Sequence, residues 1–105
     1  FIAGLGVARS GGRRHAGVDL GARTGTPVVA AWPGRVLYAK WNGRGGYSVK
    51  VTHPNGLSTY YAHLNSAPIV KAGQLVKAGQ KLGGVGMTGN ARGTTPHLHF
   101  EVRRQ

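Results

Sequence analysis

The chain has 105 residues, and its 14 Lys and Arg against 2 Asp and Glu give a formal charge of +12 with the five histidines neutral. That length fits a single domain, and a hydrophobic fraction of 40% supports one core and excludes a disordered basic tail. The absence of cysteine excludes disulfides, thiolate metal sites and cysteine nucleophiles, and no apolar run approaches the ~18–20 residues of a membrane-spanning helix.

The positive charge predicts anionic company: nucleic acid, bacterial wall polymers or anionic lipids. The bases run from Arg9 to Arg104 without a block of five or six, so the expectation is attraction to a polyanion without base reading. Phe1-Ile2-Ala3-Gly4 has neither the basic nor the apolar region of a signal peptide, and the chain does not open with Met. Localisation is therefore not legible at that end.

Residues 1–14 are weakly patterned and are expected to form a lead-in loop or a short edge strand. Glycine then recurs too densely for long helices. Arg35–Lys40 reads as a strand entered from the turn Trp32-Pro33-Gly34. From Tyr47 to His53 the residues alternate, with Tyr47, Val49, Val51 and His53 on one face. Pro54-Asn55-Gly56 is a hairpin turn, and Leu57–Leu64 is the returning strand of an antiparallel meander. Val70-Lys71-Ala72-Gly73-Gln74 repeats as Val76-Lys77-Ala78-Gly79-Gln80, which predicts two turns flanking short strands. Leu82–Met87 and Leu98–Val102 supply the last strands, and 88–96 is a polar loop. The class is all-β and antiparallel.

One Asp and one Glu leave Asp19 and Glu101 as the only possible carboxylate pair. No serine sits in a nucleophile elbow, and Gly83–Gly89 lacks the ending of a phosphate loop. Histidine remains. His97 and His99 share one face of a strand, which suits a metal or a metal ligand beside a proton carrier; an isolated pair of this kind is more often structural. His15 and Asp19, four apart, share a face on either a strand or a helix. Tyr61 and His63 share strand parity. His53 is a strand-end residue outside any site. Glu101 has the parity of His97 and His99, and is either a partner of a ligand histidine or a solvated or arginine-paired carboxylate at the strand end.

Taken in order, His15-Ala16-Gly17-Val18-Asp19, Gly25-Thr26-Pro27-Val28, Tyr61-Ala62-His63-Leu64, Val70…Gly73…Val76…Gly79, Gly86-Met87-Thr88-Gly89 and Pro96-His97-Leu98-His99-Phe100-Glu101 resemble the lysostaphin-type (LytM, M23) zinc metallopeptidase family. The resemblance runs from about His15 to Val102. It implies a single peptidase domain over 1–105, with its catalytic core at 15–102, folded as a barrel-like antiparallel sandwich with a duplicated hybrid motif. It implies one zinc held by His15, Asp19 and His99, with His63 and His97 as the catalytic histidines beside the metal-bound water. Two imidazoles and one carboxylate leave the ion positive with an open position, which pulls the pKa of water from ~15.7 towards ~7. Which of the two histidines takes the proton stays open.

The implied substrate is the peptide part of bacterial peptidoglycan. Asn65, Asn90 and Arg92 are expected in the groove, and Tyr60, Tyr61, Trp32 and Trp41 are further candidates. The chain departs from the family at Thr94-Thr95, where many members carry Ser-Gly or Thr-Gly. The implied setting is extracytoplasmic, as a monomer among peptidoglycan and anionic wall polymers, with no specific nucleic acid. The alternative is a non-enzymatic domain of the same fold that binds the wall or activates a hydrolase. Val70–Leu82 also resembles the hairpin of biotinyl and lipoyl carriers but lacks their lysine motif; a nucleic-acid-binding barrel predicts a strong salt slope.

Overall fold

The computed structural model describes residues 15–89 and 95–104, with side chains from Gly17 onward. The expected lead-in over 1–14 lies outside the described residues. Eight strands follow in order: β1 His15–Gly21, β2 Pro27–Val29, β3 Gly34–Trp41, β4 Tyr47–Thr52, β5 Leu57–Leu64, β6 Leu75–Val76, β7 Lys81–Gly84 and β8 His97–Arg104. The helical content described is one 3-10 turn at Gly43–Gly45, and no described helix is long and apolar enough to cross a membrane.

β1, β8, β5, β4, β3 and β6 form one six-stranded sheet in that order, and β2 pairs with β7 in a second, two-stranded sheet. Every pairing is antiparallel. The meander β3–β4–β5 lies where alternation and the Pro54-Asn55-Gly56 turn predict it. Local pattern does not predict that β8 inserts between β1 and β5, which joins the two ends of the described chain. The strand expected over 82–87 stops at Gly84. It leaves the large sheet to pair with β2, and Val85 and Gly86 bridge back singly to Leu64 and His97.

The repeat resolves into two like turns around β6. Gln74 N–H donates to Lys71 O at 3.0 Å, and Lys71 N–H to Gln74 Oε1 at 3.1 Å. Gln80 and Lys77 make the same pair, each at 3.0 Å.

One cluster joins Val36, Val49, Val51, Tyr61, Leu64, Leu98 and Phe100 of the large sheet to Val28 and Leu82 of the small one. Period two explains it: along β8, Leu98 and Phe100 are buried in this core while His97, His99, Glu101 and Arg103 take the opposite face. Burying a side chain such as Leu98 stabilises the fold by about 1.5–3 kcal/mol. His53 is buried just past β4 by a directed chain of hydrogen bonds. Ala31 N–H donates to Tyr61 Oη (2.9 Å), and Tyr61 Oη–H to Thr59 Oγ1 (2.9 Å). His53 closes the chain between Thr59 Oγ1 (2.9 Å) and the Pro33 carbonyl (2.8 Å). That carbonyl only accepts, so Nδ1 carries the proton and Nε2 accepts from Thr59. His53 thus ties the entry to β3 to the β4–β5 hairpin.

Candidate functional site

The spacing of His15 and Asp19 left their backbone open; the structure makes it strand. In the β1–β8 register Asp19 faces His99, Gly17 faces Glu101 and His15 faces Arg103. The side chain of His15 lies outside the described residues. Asp19 and His99 do meet, with Nδ1 donating to Asp19 Oδ1 at 2.6 Å across 80 positions of sequence. His99 Nε2 donates to Glu101 Oε2, also at 2.6 Å. Glu101 in turn accepts from Arg103 Nε at 2.7 Å. Glu101 thus partners His99 and pairs with Arg103, and at 12% exposure it is not a solvated carboxylate.

Gly17 packs tightly here. A Cβ on it would lie 3.1 Å from Glu101 Cγ and 3.2 Å from His99 Cε1, so the His99 ring rests on the bare backbone between His15 and Asp19.

His63 reaches the same place by breaking parity. Tyr61 and Leu64 are both fully buried in the core, although strict alternation would put them on opposite faces. Between the pairs Val49–Tyr61 and Tyr47–Leu64, β4 spends one residue and β5 spends two, Ala62 and His63. This is a β-bulge, and His63 sits in it at φ 65°, a left-handed conformation costing a non-glycine residue about 1–2 kcal/mol. The shared parity of Tyr61 and His63 is thus overturned: Tyr61 packs on Phe100 (5.3 Å between rings), while His63 stands 5.0 Å from the His97 ring and 6.1 Å from that of His99.

His63 and His97 are oriented alike. His63 Nδ1 donates to the Thr88 carbonyl and His97 Nδ1 to the Thr95 carbonyl, each at 2.8 Å. A carbonyl only accepts, so both neutral rings keep a lone pair on Nε2. His97 Nε2 lies 4.0 Å from Asp19 Oδ1.

Electrostatics separate the group. Burial pushes His63 below the usual histidine range, against the pull of its Thr88 hydrogen bond, which favours a neutral base. The Glu101 hydrogen bond, aided by Asp19 and opposed by burial, raises His99. Glu101 is held down to about 2, first by His99 and then, against burial, by Arg103. Asp19 is open, its side chain 64% exposed, whereas Glu101 is 12% exposed. Asp19 is therefore the carboxylate available to a ligand.

No three His, Asp or Glu side chains among the described residues form a metal-holding group; Asp19 and His99 supply two of the expected donors.

A groove of about 700 Å³ is lined by Trp41, Arg44, Asn65, Met87 and Thr88 among others, and Thr88 is the residue whose carbonyl holds His63. The groove contains the expected Asn65 and Trp41. Asn90 and Arg92 lie outside the described residues. Tyr61 is core, Tyr60 is buried beside His99 with Arg103 over its ring, and Trp32 lines a separate hollow of about 470 Å³ with His53. The residue-level reading assigned no role to Thr88 or Gly17; both stood inside quoted motifs, but only contacts reveal what they do.

The model of peptidase family M23 matches residues 13–105. Peptidoglycan DD-endopeptidase ShyC of Vibrio cholerae is 42% identical over 89 residues, covering 85% of this chain and 20% of that protein. The catalytic domain of the antimicrobial peptidase lysostaphin from Staphylococcus simulans superposes with a TM-score of 0.76 at 40% identity, over 82% of this chain and 64% of that one. A zinc-containing peptidase from Vibrio cholerae has the same TM-score and identity, over 84% of this chain and 26% of that one. The chain thus spans about a fifth of the curated relative's length. With this fold, this sequence identity and the histidines brought together on β5 and β8, the chain belongs to peptidase family M23, a family of peptidoglycan endopeptidases.

Proposed function

We propose that this domain is a zinc endopeptidase cutting peptide bonds of bacterial peptidoglycan. The observation that carries it is the convergence of Asp19, His99, His63 and His97 at one end of the sheet. Among the described residues Asp19 and His99 offer two metal donors side by side. Glu101 occupies His99 Nε2, which leaves Nδ1, beside the open Asp19 carboxylate, as the ligating nitrogen. His15, at the same strand parity, is the third ligand of the proposal. Similarity to a solved peptidase titled as zinc-containing supports the choice of metal. Bound there, zinc would act as a Lewis acid and make water acidic enough to react at neutral pH.

The chain's own groups do the rest. His63 Nε2 takes a proton from the water that attacks the scissile carbonyl carbon and delivers it to the amine as the C–N bond breaks. His97, whose Nε2 lies 4.0 Å from Asp19, steadies the growing charge on the carbonyl oxygen in the form that carries a proton on that nitrogen as well. The groove beside Asn65 and Trp41 holds the peptide. The charge of +12 supports salt-dependent association with anionic wall polymers, and a peptidoglycan substrate implies an extracytoplasmic setting.

The test is release of peptides from purified sacculi. Turnover is expected with zinc, is lost with a chelator and returns on adding zinc. Zinc uptake without release would instead favour a non-enzymatic wall-binding domain. Glu101→Ala is expected to weaken zinc affinity roughly 10–100-fold by freeing His99, measured by competition with a fluorescent chelator; an unchanged affinity contradicts the positioning of His99.

A further inference from the structure

We infer that Thr88 is a positioning residue that sets the tautomer and aim of His63. The inference rests on the endopeptidase reading for its consequence, not for its geometry.

The bulge that turns His63 towards the site also interrupts the β4–β5 ladder. Tyr47 and Leu64 face each other across it, and the Thr88 hydroxyl fills the gap. Its Oγ1 accepts from Tyr47 N–H at 3.1 Å and donates to Leu64 O at 2.6 Å. One hydroxyl thus bonds two backbone groups, one from each strand. Held in this way, the backbone carbonyl of the same residue accepts the His63 Nδ1 proton at 2.8 Å.

The loop bearing Thr88 is clamped from the other side. Gly46 and Gly89, both at positive φ (66° and 71°), pack backbone against backbone. A Cβ on Gly46 would collide with Thr88 and Gly89, and one on Gly89 with Arg44 O and Gly46 N. This clasp fixes the β3–β4 turn, which carries the groove residue Arg44 and follows directly on Trp41, to the residue that aims His63. A position held by three hydrogen bonds and a glycine clasp presents His63 Nε2 in one tautomer without reorganisation.

Thr88→Val keeps the side chain's shape and removes the hydroxyl. In the zinc-loaded protein it is expected to lower kcat at least tenfold with KM within twofold and zinc content unchanged, and Thr88→Ser is expected to restore the rate. Imidazole 15N NMR is expected to show His63 as a single Nδ1–H tautomer in the wild type and Thr88→Ser, and as a mixture in Thr88→Val. A wild-type mixture overturns the inference whether or not Thr88→Val folds. So does Thr88→Val with the wild-type tautomer and kcat, or Thr88→Ser as impaired as Thr88→Val. Because the tautomer is read without turnover, a silent sacculus assay with the expected NMR result sinks the endopeptidase reading and leaves this inference standing.

Discussion

His99→Ala is expected to lose zinc and endopeptidase activity together while the fold persists. The ring lies on the open face of β8, and the core on the other face is built from Leu98 and Phe100, so truncation leaves the packing intact. Asp19 then loses its 2.6 Å imidazole partner and keeps His97 at 4.0 Å, and Glu101 loses its 2.6 Å donor. Lewis-acid catalysis contributes several kcal/mol, so its loss is about a thousandfold or more in rate. Metal analysis should fall from one zinc per chain to near zero, with release from sacculi at background. Full zinc content in this variant would remove His99 from the ligand set.

His63→Ala separates proton transfer from metal binding. It is expected to keep its zinc and lose ~10²–10⁴ in kcat, the usual contribution of a positioned acid–base group, with KM little changed. The pH response has a definite sign. Burial lowers the pKa of His63, so it stays a competent base below the ordinary histidine midpoint of about 6.5. His99 is raised by Glu101 and Asp19, so its proton competes with the metal already above that midpoint. As pH falls, zinc should leave before His63 protonates, and added zinc should shift the acid limb of activity to lower pH. An acid limb insensitive to zinc contradicts this order.

The two parts of the site differed in how far they were legible. His97, His99 and Glu101 obey period two, and the structure puts them on one face. His15 and Asp19 have a spacing shared by strand and helix; only pairing with β8 decides it. That pairing is a long-range event, and it also places β8 between β1 and β5, which no local pattern encodes. His63 is where alternation failed. No glycine or proline marks the bulge in Tyr60-Tyr61-Ala62-His63-Leu64, and the positive φ falls on the histidine itself. The turn chemistry was more transparent: the two Val-Lys-Ala-Gly-Gln copies adopt like turns because each glutamine amide closes on its lysine backbone. Thr88 acts through a carbonyl and a shared hydroxyl, and composition carries no trace of either.

The most direct measurement is a crystal structure of the zinc-loaded protein, with the ion located by anomalous scattering at the zinc edge. One zinc is expected, held by the imidazoles of His15 and His99 and the carboxylate of Asp19, with Nε2 of His63 and of His97 facing it. A zinc bound elsewhere, or a His15 ring turned away from Asp19 and His99, would contradict it.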